Sequence, residues 1–272
     1  MDGAYRDPTT FTGAMSHEER YLFDLQGFLV IEGALTEAEV AELNEAIDRR
    51  DPWSELATRP HSEHFNERKM HLGPLLDWGA PFRRLVYHPR VLPYLREVLG
   101  DGLRLDHEYA IFMRPGAEGL RLHGGGTPYD PAQYYHFRNE RIYCGLTVAT
   151  FALTDSPPGM GGFACIPGSH KSNVSCPPAI RSFEKPASCV VQVPMKAGDV
   201  LIFTEALTHG TLPWTAPFER RSLLYKFSPG HQSWSSRYGH RQFAEEAESP
   251  LLARLLEPPY HGRRPSVFRE EE

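Results

Sequence analysis

The stretch Gly119-Leu120-Arg121-Leu122-His123-Gly124-Gly125-Gly126-Thr127-Pro128-Tyr129 reads as a strand that delivers one histidine and then breaks into three consecutive glycines. In an extended chain, side chains at i and i+2 share a face, so a ligand partnering His123 from the same strand would stand at position 125. Gly125 occupies it and offers no donor. A second histidine follows 86 residues later, closing the apolar run Gly198-Asp199-Val200-Leu201-Ile202-Phe203-Thr204-Glu205-Ala206-Leu207-Thr208-His209-Gly210. Two neutral imidazoles on opposing strands suit iron, copper, zinc or nickel. His123 and His209 are therefore the candidate metal site.

Around these two segments lie short runs rich in aromatic and β-branched residues, separated by Gly and Pro. They span 103–113, 119–123, 142–153, 162–166, 189–193, 200–204 and 221–227. Such spacing predicts an antiparallel sandwich or barrel. Upstream the texture is helical. Ser16 with Glu19 and Thr36 with Glu39 are capping boxes, because hydroxyl and carboxylate each satisfy an orphan amide at a helix start. Val40, Leu43 and Ile47 then fall at helical spacing, predicting a helix over 37–50. Residues 27–31 read as a short buried strand, and 81–86 and 88–100 as two helices, the second stopped by Gly100. The expected organisation is one domain over 1–272. It has a loose arm at 1–15, a mainly helical flank at 16–100, a β core at 101–230, and a C-terminal helix (240–256) and tail within 231–272.

Composition narrows the function. A net charge of -6 argues against a general nucleic-acid or acidic-membrane binder. Cys144, Cys165, Cys176 and Cys189 show no C-x-x-C pairing and the N-terminus has no signal-peptide core, so a cytoplasmic protein with reduced thiols is expected. No apolar run approaches the ~20 residues that span a bilayer. His61, His64 and His71 stand at no metal-type spacing and are read as solvated or hydrogen-bonded.

Eleven residues after His209, Arg220 opens the strand Arg220-Arg221-Ser222-Leu223-Leu224-Tyr225-Lys226-Phe227. Arg220, Ser222, Leu224 and Lys226 share one face, and Arg221, Leu223, Tyr225 and Phe227 the more apolar one. An arginine beside a metal-bearing strand is suited to fork onto a carboxylate. Thr211, two residues beyond His209, could add a hydroxyl to the same anion.

Taken together, these segments resemble the phytanoyl-CoA dioxygenase-like branch of the non-haem Fe(II)/2-oxoglutarate oxygenases. The resemblance rests on 27–31 with its helix, 88–100, Gly161 to His170, Lys196-Ala197-Gly198-Asp199 leading to His209-Gly210, and the position of Arg220. It implies a mainly β fold with flanking helices, the double-stranded β-helix or jelly roll of cupin-like proteins. It also implies Fe(II) on His123 and His209, 2-oxoglutarate on Arg220 with Thr211 beside it, and O2 with a small organic substrate whose aliphatic C–H is attacked. His170 belongs to the family pattern too, and is expected to act structurally in a turn.

The departure is Gly125, where the family places an aspartate. By resemblance to the aliphatic halogenases, chloride could fill that coordination position and the product would be halogenated. Alternatively Asp106, Glu108, Asp130, Glu140 or Glu205 could supply the carboxylate and the product would be hydroxylated. A third reading is a barrel that has lost its metal and only binds a ligand. The three adjacent glycines slightly favour a vacancy, as they leave space beside His123. Tyr129, Tyr134, Tyr135, Phe137 and Arg138 are expected to form a lid.

Overall fold

The computed structural model describes residues 15–55, 60–62, 64–236, 243 and 249–268. Among them are twelve strands: β1 (Phe28–Ile31), β2 (Lys69–Leu72), β3 (Arg104–Met113), β4 (Leu120–His123), β5 (Tyr135–Arg138), β6 (Arg141–Cys144), β7 (Thr147–Ala152), β8 (Gly162–Cys165), β9 (Val191–Gln192), β10 (Val200–Thr204), β11 (His209–Leu212) and β12 (Arg220–Ser228). A six-stranded sheet runs β1-β10-β7-β12-β3-β2, a four-stranded sheet runs β4-β11-β8-β9, and β5-β6 form a hairpin. Every strand pairing is antiparallel. This is the jelly roll.

Alternation along each strand divides the core between two faces. On β12, Leu223, Tyr225 and Phe227 join Phe23, Leu43, Ile47, Leu92 and Leu95 in the cluster that packs helices on the outside of the larger sheet. Leu224 on the opposite face joins Val148, Leu201 and Phe203, which meet Phe163 and Cys165 of the smaller sheet. Phe163 and Phe203 touch across that gap with ring centroids 4.8 Å apart. The interior between the sheets is where His209 and Arg220 are held.

The two capping boxes form as expected, starting helices at His17–Gln26 and Glu37–Arg50. Further along, the segment expected as one helix from 88 begins only at Leu92 and ends at Leu99. The run expected as one strand over 142–153 is two, β6 and β7, broken at Gly145, where a Cβ would stand 2.3 Å from the Ala132 carbonyl. Only Val191–Gln192 of the expected 189–193 strand pairs. The expected arm lies outside the described residues except Met15, as do residues 240–242 and 244–248 of the expected 240–256 helix, whose end, Pro250–Leu255, is helical. No described helix is long and apolar enough to cross a membrane. All four cysteines are free thiols.

Candidate metal centre

His123 and His209 are directly opposed in the β4–β11 ladder, the arrangement in which side chains on one face come closest. Their ring centroids are 4.2 Å apart. Each ring is oriented by its own strand. His123 Nδ1 donates to the Arg121 carbonyl at 3.2 Å and His209 Nδ1 to the Leu207 carbonyl at 2.7 Å. A carbonyl only accepts, so both rings carry their proton on Nδ1 and present Nε2 as a lone pair. Metal-ligating histidines are held in this way.

The third member is Glu205, in the turn after β10. Its carboxylate and the two imidazoles offer ligand atoms that all lie within 4.8 Å of one another. Glu205 Oε2 is 3.9 Å from His209 Nε2, while Oε1 accepts from Lys226 Nζ at 2.7 Å. Burial alone would raise the Glu205 pKa, but Lys226 and the two histidines overturn this and hold it at about 2. Lys226 is buried as well, and its pKa is raised by Glu205 against the effect of burial. Burial, with the neighbouring His123, lowers His209 to about 3, and burial also lowers His123. The result is an ionised carboxylate beside two neutral imidazoles, the protonation state a divalent cation requires. A buried ion pair is a poor way to gain stability, so a carboxylate that keeps one oxygen for the histidines points to ligation.

The other four carboxylates considered from sequence are engaged or placed elsewhere. Asp106 is enclosed by six donors from residues 104 to 107 and 228 to 235. Glu108 accepts from the amides of Leu75 and Leu76. Asp130 accepts from the Ala132 amide, and Glu140 sits in the β5–β6 turn at φ 61°.

The glycines next to His123 do not leave the space expected of them. A Cβ at Gly124 would lie 2.5 Å from the Leu207 carbonyl oxygen and 2.6 Å from that of Glu205, and one at Gly126 would lie 2.6 Å from the His170 carbonyl oxygen. The run is bare because the Glu205–Leu207 turn packs against its backbone, the same approach that brings Glu205 to His123. Gly125 has φ 113°, and a Cβ there would meet Thr208 Oγ1 at 2.9 Å. A cavity of about 260 Å³ adjoins Gly125, yet none of His123, Glu205 and His209 lines it.

Arg220, at the start of β12, is 3 % exposed, and its Nε has no hydrogen-bond partner. Nη1 reaches only the Met113 sulfur, at 3.6 Å. Burial lowers its pKa to about 10, leaving it charged at neutral pH. A buried guanidinium without a carboxylate is costly unless an anion joins it. Gly162 (φ 89°) lets it in, since a Cβ there would stand 3.3 Å from Arg220 Nε. Thr211 lies two residues beyond His209 on β11, across from Phe163.

His170 is held by its turn, with Nε2 donating to the Asp24 carbonyl at 3.0 Å. Tyr135, expected in a lid, instead bonds Asp24 through its hydroxyl and packs edge-on against His170 at 4.5 Å. Tyr129 and Phe137 are exposed, and the Tyr129 ring stacks on His136.

A jelly roll with a His/Glu/His cluster and an unpaired arginine between its sheets has the make-up of a mononuclear metal oxygenase. Comparison with known proteins agrees: the phytanoyl-CoA dioxygenase (PhyH) family matches residues 23–222, and the chain belongs to that dioxygenase family. It is 25% identical over 245 residues to an ectoine dioxygenase of Nocardia farcinica, covering 82% of this chain and 80% of that protein. The match to the ectoine dioxygenase of Bordetella parapertussis, 28% identical, spans 61% of this chain and 53% of that protein. Among solved structures it is similar to HygX from Streptomyces hygroscopicus with nickel and 2-oxoglutarate bound. That likeness has a TM-score of 0.70 at 26% identity, over 81% of this chain and 89% of that one.

Proposed function

We propose that this chain is an Fe(II)- and 2-oxoglutarate-dependent oxygenase that hydroxylates an aliphatic C–H of a small organic substrate with O2, and that His123, His209 and Glu205 hold its iron. The single observation that carries the reading is the convergence of three ligand atoms within 4.8 Å. Ligands on one face of an octahedral metal stand about 3 Å apart given bonds near 2 Å, so the trio needs to close by side-chain rotation. The donor set fits iron. Arg220, with a buried and unpartnered Nε, fits the far carboxylate of 2-oxoglutarate, and Thr211 is the hydroxyl beside it.

Bound iron would supply the oxidative chemistry, coupling decarboxylation of 2-oxoglutarate to attack on the C–H bond. The chain's own part is to bind, orient and exclude water. Lys226 holds Glu205 by one oxygen and leaves the other to the metal. The Arg121 and Leu207 carbonyls fix the imidazole tautomers. Phe163 and Phe203 shield His209, with ring centroids 5.9 and 4.7 Å away.

Halogenation is the second reading, favoured by the missing carboxylate at Gly125, with chloride beside the two histidines. Glu205 supports hydroxylation over it. A ligand-binding barrel without metal would have little use for the buried Glu205–Lys226 pair. Anaerobic titration with Fe(II) and 2-oxoglutarate, with and without chloride, tests the reading. A metal-to-cosubstrate charge-transfer band at one iron per chain, insensitive to chloride, is expected. No band, or a band that needs halide, would overturn it.

A further inference from the structure

β3 carries an irregularity that the metal centre does not explain. Lys226 of β12 pairs with His107, and Phe227 with Leu105, so Asp106 is the extra residue of a bulge. Neighbouring side chains on a regular strand point to opposite faces, but here Asp106 Oδ1 accepts from the Nδ1 of the adjacent His107 at 2.8 Å. Bulges re-aim side chains in this way.

The carboxylate is fully buried, while His107 is 18% exposed. Asp106 has five donors besides His107: Arg104 Nη1, Ser228 Oγ, Ser233 Oγ and the amides of Trp234 and Ser235. Its own hydrogen-bonding needs are met without the imidazole, so the pair serves His107. The ring is also clamped on both faces, by Tyr109 at 6.0 Å and Trp234 at 5.3 Å, with interplanar angles of 14° and 26°. Only its edge is left to meet a ligand. Since a carboxylate cannot donate, Nδ1 carries the proton, and the neutral form of the ring is the one that presents Nε2 as an acceptor. Nε2 has no hydrogen-bond partner among the described residues.

The position suits a ligand on its way to the metal. Trp234 is 53% exposed and marks the outer end. Inward, Tyr109 lies under Lys226 Nζ, 5.4 Å from the ring centroid, and Lys226 bonds Glu205. We propose that His107 is a substrate anchor, whose Nε2 accepts a hydrogen bond from a hydroxyl or ammonium group of a polar small molecule held beside the metal centre. The substrate is then a donor-bearing compound, such as a polyol or amine, and not a hydrocarbon or a simple carboxylate. The assignment rests on the oxygenase reading only in taking the barrel interior as the substrate site.

The test uses the full chain loaded with Zn(II) and 2-oxoglutarate, and follows histidine side-chain nitrogens by NMR. Three probes share one ring: myo-inositol, cyclohexane-1,3-diamine and cyclohexanecarboxylate. The expected result is an unprotonated His107 Nε2 whose resonance moves with the polyol or the diamine and not with the carboxylate. His107→Phe should weaken that binding about tenfold, the scale of one hydrogen bond. His107→Gln should restore it, because the amide can donate to Asp106 and still accept from the ligand. A proton on Nε2, a resonance unmoved by every probe, or equal binding by His107→Phe would overturn the anchor. Failure of the wild type to bind zinc or 2-oxoglutarate would count against the oxygenase reading instead, with the tautomer and probe results still readable on the unloaded chain.

Discussion

At the scale of single residues the account turns on Glu205. Glu205→Gln keeps the size but removes the charge that pairs with Lys226 and would meet the metal. Loss of a ligand should weaken iron binding at least as much as loss of a supporting contact, so about 100-fold or more. Metal titration of the variant checks this, and unchanged affinity would exclude Glu205 as a ligand. Gly125→Asp, which returns the family's carboxylate to its sequence position, should destabilise the fold by about 1–3 kcal/mol, because a non-glycine residue there is strained and its Cβ would crowd Thr208 Oγ1. Urea denaturation measures it, and a variant as stable as wild type would contradict the backbone argument. The two histidines were legible because each ends a strand-like run. Glu205 was only one of five carboxylates on offer, since it sits in a turn and chain position does not say which turn packs against which strand. A lone acid in the apolar stretch from Val200 to Leu207 was the available signal.

At the scale of elements the same contrast holds. Helices announced by capping boxes, the continuous apolar run of β10 and the two-faced strand β12 appear where the pattern put them. β2, β5 and β11 were not anticipated. β11 is four residues, His-Gly-Thr-Leu, too short and too poor in apolar residues to show a period of two, and it pairs because β4 and β8 flank it. β8 and β12 between them place Arg220 through the bare backbone at Gly162. Arg220→Ala should weaken 2-oxoglutarate binding by about 10- to 150-fold, as expected from losing hydrogen bonds to a charged group worth about 1.5–3 kcal/mol, with metal affinity retained. Calorimetric titration of 2-oxoglutarate into metal-loaded variant and wild type reads the difference. Equal affinity would remove Arg220 from the cosubstrate site.

At the scale of the whole molecule, the antiparallel β character of the core was legible from composition and punctuation and the jelly roll from the family resemblance, whereas the meeting of the two sheets around buried charges was not, because periodicity carries no information on which faces oppose. Those charges set the pH response. His209 and His71 are lowered from 6.5 to about 3, and His170 to about 4, in each case mainly by burial. The unfolded chain therefore binds more protons than the folded one below about 6.5, and stability falls as the pH drops from there toward 3. Glu205, lowered from 4.5 to about 2, acts with the same sign, its contribution present above 4.5 and lost as the pH falls through 2. Urea midpoints of the metal-free protein should decline from pH ~7 to pH ~4, and less steeply in His209→Asn. A flat profile would contradict the buried neutral histidines. The central claim, that Glu205 takes the place of the aspartate absent at Gly125, is tested most directly by a crystal structure grown anaerobically with Fe(II) and 2-oxoglutarate, using iron anomalous scattering. The account predicts a peak bonded at about 2.0–2.2 Å to His123 Nε2, His209 Nε2 and one Glu205 oxygen, with Lys226 still on the other. A peak whose third position holds water or chloride beside Gly125 while Glu205 stays away, or no peak between the histidines, would contradict it.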